Sequence, residues 1–145
     1  RKEFDHLNAL QASGDAHASH YGDSIAPILD AGLADFVTTD HRVCDEIWLE
    51  PTHGHTPGHV SVRIRSRGED AVITGDLMHH PCQCTVPDKL ANFDDDREQA
   101  ARTRREFLAR VDSRRVLVIG SHFAEPTAGW VERDGKSWKF IARED

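Results

Sequence analysis

Nowhere does this sequence hold the roughly 18 consecutive apolar residues that a membrane-crossing helix needs, so no transmembrane segment is expected. Cysteine is scarce. Three residues, an odd number, argue against the disulfide framework of a small secreted protein and for a reducing, cytoplasmic setting. Excess positive charge is also missing: Lys and Arg total 18 against 25 Asp and Glu, for a net charge of -7. That balance argues against non-specific binding to nucleic acid or to an anionic membrane, both of which need basic patches. The densest basic stretch, Arg102, Arg104 and Arg105, falls in a helical pattern. It is offset by Asp94, Asp95, Asp96, Glu98 and Glu106, so it reads as a solvated helix face. An initiator methionine is lacking too, and the start of the chain says nothing of an N-terminal address.

What is present fits one domain. A chain of 145 residues is a common domain size. Phe4 to Leu10 predicts a short helix, Gln11 to His20 a polar loop, and Ser24 to Leu33 a second helix ending near Gly32. Short strands are expected at Ala34–Thr39 and Ile47–Glu50. In the next strand Val60, Val62 and Ile64 alternate with Ser61, Arg63 and Arg65, the pattern of a strand buried on its apolar side. Ala71–Ile73 and Val116–Ile119 are continuous apolar runs, as in strands covered on both faces. Between them Asp95 to Val111 predicts the longest helix, with Ala100, Phe107, Leu108 and Val111 as its apolar stripe. The chain closes on a hairpin, Trp130–Arg133 and Ser137–Ile141, around Asp134-Gly135.

Ten histidines is the unusual figure. His6, His17, His20 and His41 lie in polar segments and read as surface residues. Others sit where apolar strands meet glycine turns. His53-Gly54-His55-Thr56-Pro57-Gly58-His59 leads into the strand at Val60. Thr74-Gly75-Asp76 follows the strand Ala71–Ile73, and Gly120-Ser121-His122 follows Val116–Ile119. If those strand ends share one rim, His59, Asp76 and His122 converge there. Imidazole and carboxylate suit zinc, iron or manganese. A Gly-Asp after a strand is by itself most often only a turn, so the weight lies in the three motifs together and in their order.

In that order the motifs resemble those of the metallo-β-lactamase superfamily. His55-Thr56-Pro57-Gly58-His59 is similar to its third metal-ligand motif, Thr74-Gly75-Asp76 to its bridging aspartate, and Gly120-Ser121-His122 to its last histidine. The resemblance runs from about Thr39 to the end. Gly75-Asp76-Leu77-Met78-His79 with Gln83, and Ser121-His122-Phe123, place it nearest the lactonase-like and organophosphate-hydrolase-like branch. It implies an α/β (α+β) fold, an αββα sandwich with a mixed β-sheet and flanking helices, holding two metal ions, usually zinc, at one sheet edge. His59 would bind the first ion and His122 the second, with Asp76, the catalytic carboxylate, bridging them; His55 would be a supporting residue. The implied activity is hydrolysis of a small-molecule ester, lactone or phosphotriester by a metal-bound hydroxide.

The family's first motif, His-x-His-x-Asp-His, is absent. His17-Ala18-Ser19-His20 has the wrong spacing and no aspartate. Residues 1–145 therefore read as a single partial domain, the C-terminal half of the sandwich, with the N-terminal half expected to precede Arg1. On that reading fewer than two zinc ions, or none, are expected here, and these residues alone are not expected to be active. The other function that fits is a catalytically inactive half-domain binding at most one metal weakly. Strands apolar on both sides would leave one sheet face open, so a homo-oligomer or domain-swapped dimer through that face is expected.

Three remaining features carry less. His79-His80-Pro81-Cys82-Gln83-Cys84 lacks the two-residue cysteine spacing of a zinc knuckle and reads as a loop beside the substrate pocket, with His79 and His80 as candidates to touch substrate. Cys44, beside Asp45, has no activating base. Trp48, Trp130 and Trp138 read as packing residues.

Overall fold

The computed structural model describes residues 1–143. Helix α1 (Lys2–Ser13) ends on Gly14 in the left-handed conformation and is followed by a short turn of 3-10 helix and a wide helical turn at Tyr21–Ile25. The latter runs into α2 (Ala26–Asp30). Six strands follow: β1 (Ile47–Pro51), β2 (Val60–Ser66), β3 (Glu69–Ile73), β4 (Val116–Ile119), β5 (Ala128–Asp134) and β6 (Ser137–Ala142). Between β3 and β4 lie α3 (Cys82–Thr85) and α4 (Arg97–Asp112). Among the described residues no helix is long and apolar enough to cross a membrane.

The strands form one mixed sheet in sequence order, antiparallel except for the parallel pair β3–β4. A parallel pair needs a long crossover, and α3 and α4 supply it. Asp96 caps α4 by accepting from the Gln99 N–H at 2.8 Å. The expected stripe Ala100, Phe107, Leu108 and Val111 is buried on one face of the sheet. There it meets Val72, Val116, Val118, Val131 and Trp138, with Met78 and Cys84 completing the core.

The other sheet face is open. Val62 pairs with Ile73 and Ile64 with Ala71, while Ala71 pairs with Leu117 and Ile73 with Ile119. Directly paired residues share a face, so these six side chains form one apolar surface. Each is only half-buried. The two apolar strands, expected to be covered on both faces, are thus fully buried on one face only.

Four local expectations are corrected. The fully buried side of β2 is its polar one, Ser61 and Arg63, because that parity faces the helices. Ser61 donates to the Thr74 carbonyl at 3.0 Å, and Arg63 lies 3.5 Å from Glu50. Arg104 is not on a solvated face: it is 1% exposed, with its guanidinium on Asp94 and on the carbonyls of Pro87 and Lys89. Residues 34–39 run without strand pairing. Helix α1 extends three residues into the stretch expected to be loop, to Ser13.

Candidate metal centre

The parallel pair fixes the rim. The Thr74 N–H donates to the Ile119 carbonyl at 3.0 Å, and the Ser121 N–H to Thr74 Oγ1 at 3.3 Å. The loops after β3 and β4 therefore leave the sheet side by side and bring Asp76 against His122. His122 Nε2 is 2.5 Å from Asp76 Oδ1. His55 Nε2 lies 3.6 Å from Asp76 Oδ2, and His79 Nε2 lies 3.8 Å from Oδ1. Donor atoms of His55, Asp76 and His79 all fall within 4.8 Å of one another.

The two histidines of the third motif do not take the places expected of them. His59 is 8% exposed and has both ring nitrogens engaged. Its Nε2 accepts from the Asp76 N–H at 2.8 Å. A nitrogen accepting there is unprotonated, so Nδ1 carries the proton and donates to the Thr52 carbonyl at 2.9 Å. Burial holds this ring below the ordinary histidine range, outweighing the Thr52 bond and the charge of Asp76. His59 is thus an internal strut that carries the backbone of Asp76, and His55 is the histidine that faces the carboxylate. What separates them is parity: His59 shares the side of β2 taken by Ser61 and Arg63, which the helices bury and which the apolar pattern of the strand does not reveal.

The loop carrying His55 is clamped from both sides. Gly54, at φ +133, lies so close to α4 that an added Cβ would sit 2.3 Å from the Ala100 nitrogen. Thr103 Oγ1 donates to the His53 carbonyl at 2.7 Å. From the other side Glu3 of α1 accepts from Thr56 Oγ1 at 2.6 Å and from the Gly58 N–H at 3.1 Å. His6, expected to be a free surface residue, pairs with Asp95 at 2.8 Å. Gly75 takes φ +56, and an added Cβ would press on His59 Nε2 at 2.8 Å.

His79 lies between Phe93, whose ring is 4.3 Å away and tilted by 53°, and His122, stacked on it at 4.5 Å with the rings nearly parallel. Its Nδ1 is buried without a hydrogen-bond partner among the described residues. Burial and the neighbouring His122 lower its pKa, Asp76 opposing them. His80 is placed differently: its Nδ1 accepts from the Cys82 N–H at 3.1 Å, so it serves the start of α3. Burial raises the pKa of Asp76, but the His122 hydrogen bond and the fields of His55, His122 and His59 bring it below the usual carboxylate range. At neutral pH the centre is an anionic carboxylate among imidazoles. A cleft of about 330 Å³ opens beside it, walled by Leu7, Leu10, Phe93, His55 and Asp76.

The open carboxylate–imidazole cluster at the strand ends of this mixed sheet is a set of donors able to hold a metal ion. The chain belongs to the metallo-beta-lactamase superfamily, whose sequence profile matches residues 6–122. Among solved structures it is similar to the hydrolase AbOPH of the beta lactamase superfamily, with a TM-score of 0.83 and 23% identity. It is also similar to AidC, a dizinc quorum-quenching lactonase, with a TM-score of 0.75 and 22% identity. A probable metal-dependent hydrolase from Staphylococcus aureus follows at 0.67 and 21%, covering 79% of this chain and 42% of its own. The first two alignments cover 95% and 94% of this chain but 48% and 47% of theirs, so the chain spans about half their length. Identity at this level shows the fold. No curated protein matches the chain by sequence.

Proposed function

We propose that this chain forms one wall of a zinc-dependent hydrolytic centre acting on esters, lactones or phosphotriesters of small molecules. The observation that carries the proposal is the single ionised carboxylate, Asp76, faced by His55, His79 and His122 on one rim. The donors fit a borderline metal: imidazole nitrogens and one carboxylate, with a buried His79 nitrogen that no group among the described residues satisfies. His55, Asp76 and His122 are the proposed ligands. A divalent ion bound there would polarise a carbonyl or phosphoryl oxygen and acidify water.

The chain's own residues do the rest. Asp76, catalytic in this reading, brings fixed negative charge, and His59 holds its backbone in place. His79, between Phe93 and His122 and beside Asp76, is the proposed contact for a bound substrate or its leaving group. Leu7, Leu10 and Phe93 give the cleft an apolar wall for the substrate's non-reacting part. His80 has no part in this arrangement. Three free thiols suit a reducing, cytoplasmic compartment.

A second reading has its own support. Two zinc ions need roughly eight donor positions between them, and even a shared carboxylate leaves this cluster short. A half-domain that binds one ion weakly and does not turn over fits that count. It would assemble through the open apolar face with a second copy or another chain. Equilibrium dialysis against zinc, followed by aryl-ester and lactone hydrolysis assays, separates the readings. Bound zinc with turnover, both lost in Asp76→Asn, supports the enzyme. Bound zinc without turnover supports the half-domain, and no zinc in a folded chain overturns the metal centre.

A further inference from the structure

We infer that Asp94, held by Arg104, is a positioning residue that fixes the tautomer and orientation of His55. The inference rests on His55 being a metal ligand. Asp94 stands two residues before the cap of α4, and its side chain is fully buried. Its Oδ1 lies 3.2 Å from His55 Nδ1, and its Oδ2 accepts from Arg104 at 3.2 Å. An ionised carboxylate is an acceptor only. The proton between Asp94 and His55 therefore sits on Nδ1, and the lone pair of His55 is left on Nε2, the nitrogen that faces Asp76.

A purely structural role does not account for this contact. Arg104 already fastens the loop before α4 by donating to the Pro87 and Lys89 carbonyls at 3.1 and 3.0 Å. An apolar pair would fasten that loop at least as well, because a buried ion pair gains little over hydrophobic packing. What an apolar pair cannot do is accept the imidazole proton. Carboxylates on the far nitrogen of a ligating histidine orient the ring and raise its basicity. Here the carboxylate comes from the crossover, 39 residues beyond His55 in the chain. The whole arrangement is thus Arg104 to Asp94 to His55, aimed at Asp76.

The test uses the full chain with zinc or cobalt alone. Long-range 15N–1H NMR of the metal-free protein should show His55 protonated on Nδ1. An Nε2–H form, or a rapid mixture, would overturn the inference whether or not any variant folds. Asp94→Asn should weaken zinc binding by about 10–100-fold in chelator competition, relax the His55 tautomer and alter the cobalt absorption spectrum. Unchanged affinity and tautomer in a folded Asp94→Asn protein would reduce Asp94 to a structural staple. Failure of the metal reading is told apart by the wild-type chain taking no zinc while His55 still shows the Nδ1 proton. In that case the inference falls with its metal, and only the hydrogen bond remains.

Discussion

Replacing His59 and His55 in turn by alanine separates a strut from a ligand. His59 is buried, and its removal leaves the Thr52 carbonyl and the Asp76 amide without partners. At about 1–3 kcal/mol for each buried polar group left unsatisfied, His59→Ala should cost about 2–6 kcal/mol. Domains of this kind have a total stability of about 5–15 kcal/mol, so the loss is large. In a domain of this size it corresponds to a fall in Tm of about 6–20 °C. The donor atoms of His55, Asp76, His79 and His122 all survive that change. Zinc affinity measured below the melting range should fall by about 10–100-fold, the usual effect of losing an outer support. His55→Ala should do the reverse, with a smaller loss of Tm and a larger loss of zinc, because a donor itself is gone. Thermal melts and chelator competition on the same samples read both quantities. The reasoning is refuted if His59→Ala melts like wild type and binds no zinc while His55→Ala keeps its zinc.

Other changes follow from the same contacts. Arg104→Met leaves the Asp94 carboxylate buried without its cation and should cost about 3–5 kcal/mol in urea unfolding, with Asp94→Asn in the same chain recovering part of it. Gly54→Ala forces a side chain into the backbone of Ala100 at a φ of +133, so both stability and zinc affinity should fall, read by melts and competition. Burial pushes the Cys84 thiol up to about 12. Disulfide exchange at pH 8 should therefore label exposed Cys44 and Cys82 quickly and Cys84 only on unfolding. The unfolded chain releases this proton near pH 9 and the folded chain near pH 12. Between these values the Cys84 contribution should make stability fall by about 1.4 kcal/mol per pH unit, and Cys84→Ala should remove that slope. Leu117→Lys on the open sheet face should shift sedimentation toward monomer, and an unchanged mass would count against assembly through that face.

Sequence carried far where one physical rule dominated. The strands β2 to β6 and the closing hairpin follow from apolar runs and turn residues. Helix α4 is a residue or two from its expected bounds because the Asp94–Asp96 run offers several caps and only Asp96 is used. The meeting of Asp76 and His122 follows from the sequence because each stands directly after one of two paired apolar strands. Where two rules compete the sequence misleads. The apolar pattern of β2 points to Val60, Val62 and Ile64 as the buried set, but the helices cover the opposite parity, so Ser61, Arg63 and His59 lie inside. The same parity turns His59 inward under Asp76 and leaves His55 to face the Asp76 carboxylate. The basic neighbours of Arg104 suggest a solvated face, and nothing local shows that Asp94 waits for it about two turns of helix away, just before the cap of α4.

The contacts that shape the site come from one side of the sheet. Ala100, Thr103 and Arg104 lie on α4, and Asp94 just before it. They fix the His53–His59 loop from the covered face. Glu3 closes the same loop from α1. His59, which carries Asp76, lies on the covered parity as well. The open face contributes no side chain to any of these hydrogen bonds. Its pairs, such as Val62 with Ile73 and Ala71 with Leu117, act only through the strand register. That register sets Asp76 beside His122, and it is secured by the backbone bonds of β3 and β4. Preorganisation of the donors is therefore separable from whatever covers the apolar face. The mutual orientation of His55, Asp76 and His122 is set by contacts within this chain alone.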